Sequence, residues 1–213
     1  MPGAPTASDA PQTPRTARGV RTREALVRAA RAVFERDGFL AARTTDIALA
    51  AGVASGSFYT YFRTKDEAFA AVMAELQEEM LHPGVRGDAG VDDPVAAIDA
   101  ANRAYLSAYA RSARLLAVME QVAAVDEGFR RLRLERGEAF AARNARAIER
   151  WQRRGLADPA LDPLLAAHAL DAMVSRMAAM VFVAGEPFDV ESMTVTLTRL
   201  WVNALRIPIP QED

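Results

Sequence analysis

The chain has 213 residues, about half of them apolar (51%), no cysteine and a net charge of −2. This length allows one large domain or two unequal ones with a real core, and the lack of cysteine excludes disulfides and thiolate metal sites. The small net charge names no partner, but its distribution does. Residues 15–65 hold nine arginines and Lys65 against Glu24, Glu35, Asp37 and Asp46, a charge of +6 that leaves −8 for the rest. A polyanion such as DNA is drawn to the first of these parts and repelled by the second.

Residues 1–19 carry Pro2, Pro5, Pro11 and Pro14 among small polar residues and no apolar run of signal-peptide type, so a disordered tail is expected there. Beyond it no sustained β alternation occurs and apolar residues recur at helical spacing, which predicts an all-α fold. Leu26, Ala30, Val33 and Phe34 form the first stripe, ended by Asp37-Gly38. A short helix through Asp46–Ala51 stops at Gly52, and another spans roughly Ser55 to Phe62. Three short helices, two of them joined by a glycine turn, make a helix-turn-helix head over residues 20–65.

A larger domain, residues 66–213, follows. Thr64-Lys65-Asp66-Glu67 reads as a capping box opening a helix whose face is Phe69, Met73, Leu76 and Met80, until His82-Pro83-Gly84 breaks it. Asp93-Pro94 and Asp162-Pro163 each read as an N-cap followed by proline at the first helical position. Helices are expected over Val95–Ser112, Ala113–Ala124, Asp126–Arg154, Asp162–Val183 and Asp189–Leu205, about nine in all. The stretch Leu164–Val183 is apolar but interrupted by His168, Asp171, Ser175 and Arg176, so no membrane span and a cytoplasmic protein are expected.

The segment from Ala51-Gly52-Val53 through Ser55-Gly56-Ser57-Phe58-Tyr59-Thr60-Tyr61-Phe62 to Lys65 resembles the signature of the TetR family of bacterial regulators. The match extends upstream through Ala29-Ala30, Phe34, Gly38-Phe39 and Asp46-Ile47-Ala48. The residues themselves fit a DNA reader: Gly52 permits a left-handed turn, Val53, Phe58 and Phe62 can pack, and short hydroxyls and aromatics remain to face a groove. The resemblance implies that Tyr59 and Lys65 grip phosphates and that Ser55, Gly56, Ser57, Thr60 and Tyr61 face the groove. It places a base contact at Thr45 and a phosphate contact at Thr44. Two positions depart from the family pattern. Ala42-Arg43 stands where many members carry a Ser/Thr pair, which leaves Arg43 as a phosphate contact, and Ala54 stands at the expected cap of the recognition helix. Arg15, Arg18, Arg21 and Arg23 read equally as a solvated arm and as a minor-groove arm.

For the larger domain the resemblance implies a cavity for a small effector. Tyr105 and Tyr109, Phe140, and Met173 and Met177 lie on three helices at spacings that can converge on one cavity, although a methionine stripe is first of all core. Few polar groups are expected there, the tyrosine hydroxyls, Asn144 and His168, so a neutral or singly anionic effector with a sizeable apolar body is expected; His168 and Asp171 are more simply read as paired with each other or across an interface. Leu197, Leu200 and Trp201 on the last helix are expected at or beside a dimer interface, packed against the helix from Asp162 to Val183. No metal-ligand spacing, phosphate loop or nucleophile motif occurs, so no metal, cofactor or catalytic residue is expected.

The expectation is a sequence-specific transcriptional regulator, a homodimeric repressor released from an inverted-repeat, double-stranded operator by a small hydrophobic or amphipathic effector. The alternatives are a helical-bundle enzyme or carrier with an incidental basic end, and an architectural DNA binder without an effector.

Overall fold

The computed structural model describes residues 16–81 and 93–208. Arg15 and most of the expected tail, and the expected break at His82-Pro83-Gly84, lie outside these. Among the described residues there are nine helices and no strand: α1 Ala17–Ala41, α2 Thr44–Ala50, α3 Ser55–Tyr61, α4 Lys65–Leu81, α5 Pro94–Arg111, α6 Ala113–Ala123, α7 Glu127–Arg153, α8 Pro163–Phe182 and α9 Val190–Ala204. The chain divides into two compact units, Met1–Glu75 and Leu76–Asp213.

In the first unit α1 begins at Ala17, capped by Thr16 through a 3.1 Å bond from the Gly19 amide. Its regular part ends at Gly38, whose φ of 74° is left-handed, as the Asp37-Gly38 pair predicts. Leu26, Ala30, Val33 and Phe34 are buried with Ile47, Ala48 and Phe58, and the rings of Phe34, Phe39 and Phe69 cluster. The Glu67 amide donates to Thr64 Oγ1 at 3.2 Å. The reciprocal bond of the expected capping box is displaced by one residue, because the Glu67 carboxylate accepts from the Arg63 amide and Arg63 Nε, both at 2.8 Å.

In the second unit the aspartate caps hold the helix starts. Asp93 accepts from the Val95 and Ala96 amides, Asp126 from Phe129, Asp162 from Leu165 and Asp189 from Ser192. Helix α7 lies along α8 and also meets α6, while α5 lies along α9. The α9 stripe of Met193, Leu197, Trp201 and Val202 is buried on α5, and a buried Asn102 to Thr198 bond of 3.2 Å ties the two helices. At roughly 1.5–3 kcal/mol for each large apolar side chain, that stripe is a major stabilising element.

Within the chain α9 therefore packs on α5. Leu197 and Trp201, at 2% and 5% exposure, belong to the core of their own chain, and only Leu200, at 45%, faces outward. By length and a hydropathy of 1.4, α8 is able to cross a membrane. Its Ala167, Val174 and Ala178 nonetheless pack into the bundle, and its Asp171 is bonded to Asn144 of α7.

Candidate DNA-binding face and ligand cavity

Helix α2 turns into α3 through Gly52, with φ 69° and its amide bonded to the Leu49 carbonyl, while the Val53 amide bonds back to Ala48. Phe58 is fully buried, and its ring lies 5.7 Å from that of Phe62 beneath α3. Pinning this face turns the other outward. Ser55, Gly56, Tyr59 and Thr60 are exposed and Ser57 and Tyr61 half-buried, with Arg43 and Thr45 exposed beside them on the α2 side. Neither helix start has a side-chain cap, since Arg43 and Ala54 occupy those positions.

Thr44 Oγ1 and the Tyr59 hydroxyl lie 3.1 Å apart, joining the start of α2 to the body of α3. Lys65 is placed differently from expectation. Its Nζ donates to the carbonyls of Phe39 at 2.6 Å, Leu40 at 3.3 Å and Ala42 at 3.1 Å, and sits 4.5 Å from the Phe39 ring centroid. These carbonyls are orphaned by the end of α1, so the ammonium acts as a capping group for that end, with all three protons used. Arg23, counted in sequence with the tail arginines, is on α1 with its guanidinium 5.2 Å from the Phe62 ring centroid.

The second unit holds a cavity of about 740 Å³, walled by α5, α7 and α8 with Glu120 of α6 and Trp201 of α9. Tyr105, Tyr109 and Phe140 line it as expected, with Tyr105 edge-on to Phe140 at 5.7 Å. Met173 and Met177 do not line it. At 3.6 residues per turn they stand about half a turn around α8 from Asp171 and Ser175, which do.

Polar groups are more numerous than expected. Arg133, Arg150 and Arg176 stand exposed along the lining, and half-buried Arg143, Asn144 and Asp171 stand within it, together with exposed His168. His168 and Asp171 are not bonded to each other. Instead a chain runs from Arg143 Nε to Asn144 Oδ1 at 3.2 Å and from Asn144 Nδ2 to Asp171 Oδ1 at 2.7 Å. Arg143 also donates to the Leu81 carbonyl at 3.1 Å and lies over the Phe140 ring.

Burial pushes the Asp171 carboxyl up to about 6, against the opposing pull of Asn144, Arg143 and His168. Burial likewise raises the Tyr109 hydroxyl to about 12. The sequence signal for this wall is the run Arg133, Gly137, Phe140, Asn144, Ala147 and Trp151, spaced by three or four on α7. A search for purely apolar periodicity passes over it because it mixes charge, amide and ring.

A helix-turn-helix head with an outward hydroxyl and aromatic face, on a chain whose other unit holds a cavity, defines a two-unit all-helical protein. Residues 26–72 match the sequence model of the bacterial regulatory proteins, tetR family. The TetR resemblance thus holds for the head by sequence, and for the chain as a whole by fold. A putative TetR-family transcriptional regulator from Rhodococcus sp. aligns at TM-score 0.75 and 18% identity, over 87% of this chain and 98% of its own. The fatty acid degradation regulator FadR from Bacillus halodurans aligns at 0.70 and 18%, over 88% and 97%. SmeT, the repressor of the Stenotrophomonas maltophilia multidrug efflux pump SmeDEF, aligns at 0.69 and 23%, over 86% and 91%. None of the curated proteins compared by sequence matches the chain.

Proposed function

We propose that the chain is a ligand-responsive, sequence-specific DNA-binding regulator that represses from an inverted-repeat operator as a homodimer and is released by a small amphipathic effector. The observation that carries this reading is the presence in one chain of the exposed α3 face and a 740 Å³ cavity in the other unit. An architectural DNA binder needs no such cavity, and a carrier or enzyme needs no such face. Arg43, Thr44, Thr45, Ser55, Gly56, Ser57, Tyr59, Thr60 and Tyr61 form the proposed contact surface. Repression is the sign carried by the TetR resemblance, and SmeT has it too.

The dimer is proposed to form through the outward sides of α8 and α9. Leu165, Val195 and Leu200 are 70%, 53% and 45% exposed on these helices, apolar surface that a second subunit would cover. Two heads related by a twofold axis read an inverted repeat. The effector acts through its differential affinity for the free and DNA-bound conformers, worth ~1–3 kcal/mol of coupling. Selection of bound DNA from a random pool, repeated with candidate effectors, tests the reading. An enriched inverted repeat that an effector releases is expected, and a pool with no enrichment overturns it.

A further inference from the structure

Resting on the reading of the cavity as an effector site, we propose that the effector presents a hydrogen-bond donor, an ammonium or a hydroxyl on an apolar body, to Asp171, and that the cavity discriminates against carboxylates.

The charged groups at the wall differ in how far their hydrogen-bonding capacity is met. Arg143 has its guanidinium on the Leu81 carbonyl, on Asn144 Oδ1 and over the Phe140 ring. Arg133 lies 3.9 Å from Glu120, and Arg150 and Arg176 are exposed to water. Asp171 differs from all of these. A carboxylate accepts about four hydrogen bonds. Asp171 receives one, from Asn144 on Oδ1, while its Oδ2 is buried without any partner. The bonding chain from Arg143 through Asn144 therefore ends at the cavity wall in an acceptor with unmet capacity. A ligand donor reaches the second lone pair of Oδ1, or turns the carboxylate so that Oδ2 is met.

Around it the wall is aromatic. Tyr105, Tyr109, Phe140, Trp151 and Trp201 accommodate an apolar body, and their ring faces favour a cation over an anion. A carboxylate ligand placed at Asp171 meets like charge, and the α8 donors along the lining are Ser175, His168 and the exposed Arg176. The rim arginines are the competing feature, so the choice between donor and anion is a measurable one.

Both tryptophans of the chain line the cavity, so intrinsic fluorescence reports occupancy. Decylammonium, 1-decanol and decanoate share one apolar body and differ in the head group, and each is titrated into the full-length protein at pH 7.5. Decylammonium or 1-decanol is expected to bind roughly tenfold or more tightly than decanoate, the scale of one hydrogen bond to a charged group. The stronger of the two identifies the donor as charged or neutral. In Asp171→Asn, whose amide offers both donor and acceptor, the preference is expected to collapse to within about threefold. Decanoate binding as tightly as the donors in the wild type overturns the proposal while leaving the effector cavity standing. Failure of all three to bind overturns both.

Discussion

The Thr44 and Tyr59 hydroxyls, 3.1 Å apart, bind the first residue of α2 to the exposed middle of α3. The pair ties the two helices together at their exposed side, and both oxygens keep capacity for a phosphate. Tyr59→Phe is expected to lower affinity for all DNA sequences alike, by about 1 kcal/mol, because a phosphate contact carries no base information. Binding of the wild type is expected to weaken steeply with salt as counterions are released. A gel-shift series on matched and mismatched sites at several salt concentrations measures both. A change in base preference without a general loss refutes the phosphate role.

Lys65 holds three carbonyls and overlies a ring, so its removal strips the end of α1 of its capping group. Lys65→Ala is expected to destabilise the protein by about 1–3 kcal/mol, visible as a lowered melting temperature. An unchanged melting curve with reduced DNA affinity returns Lys65 to a phosphate contact.

Lys65 marks how far the sequence could be read. Helix starts at Asp93-Pro94 and Asp162-Pro163 were legible because a cap is a local bond between residues two or three apart. The role of Lys65 was not, since its acceptors lie 23 to 26 residues earlier and meet it only in the fold. Periodicity likewise placed Leu197 and Trp201 on one stripe and Met173 and Met177 on another. It could not say that α5 would cover the first, or that the second would turn away from the cavity. Tyr105, Tyr109 and Phe140 were legible as a cavity wall because their spacing can bring them together on neighbouring helices and the family resemblance implies a cavity there.

Leu200 and Leu197 separate assembly from folding. Leu200→Glu adds a charge at a 45% exposed position and is expected to give folded monomers by sedimentation that lose the full inverted repeat. Leu197→Glu buries the charge at a 2% exposed position and is expected to unfold the chain rather than divide a dimer. An intact Leu200→Glu dimer removes α9 from the interface.

Ala147 lines the cavity from α7, whereas Met177 does not reach it. Ala147→Trp is expected to take up part of the void, weaken ligand binding and leave DNA binding in place, because the head is untouched. Met177→Trp is expected to retain ligand binding. The reverse ranking in titrations of the two variants means that the cavity opens on the other side of α8.

Asp171 is expected to make the stability of the protein depend on pH in a direction opposite to that of an ion-paired carboxylate. Burial raises its pKa from 3.8 to about 6, so the folded state holds the proton more tightly than the unfolded chain. The sign follows: the cost of burying the charge is fully present above about pH 6 and is relieved as pH falls towards 4. Two units correspond to about 3 kcal/mol, which Asp171→Asn removes at pH 7.5 if the amide keeps its bond to Asn144. The groups that face Asp171 are Arg143 and Asn144 on α7 and His168 on its own helix. Their pull on the carboxylate opposes the burial and is already contained in the value of about 6. Urea unfolding between pH 4 and 8 is expected to show the variant more stable by about 2–3 kcal/mol at the upper end, with the gap closing through pH 6. A variant less stable than the wild type at pH 7.5, with no pH trend, shows that Asp171 is satisfied within the fold and has no need of a ligand.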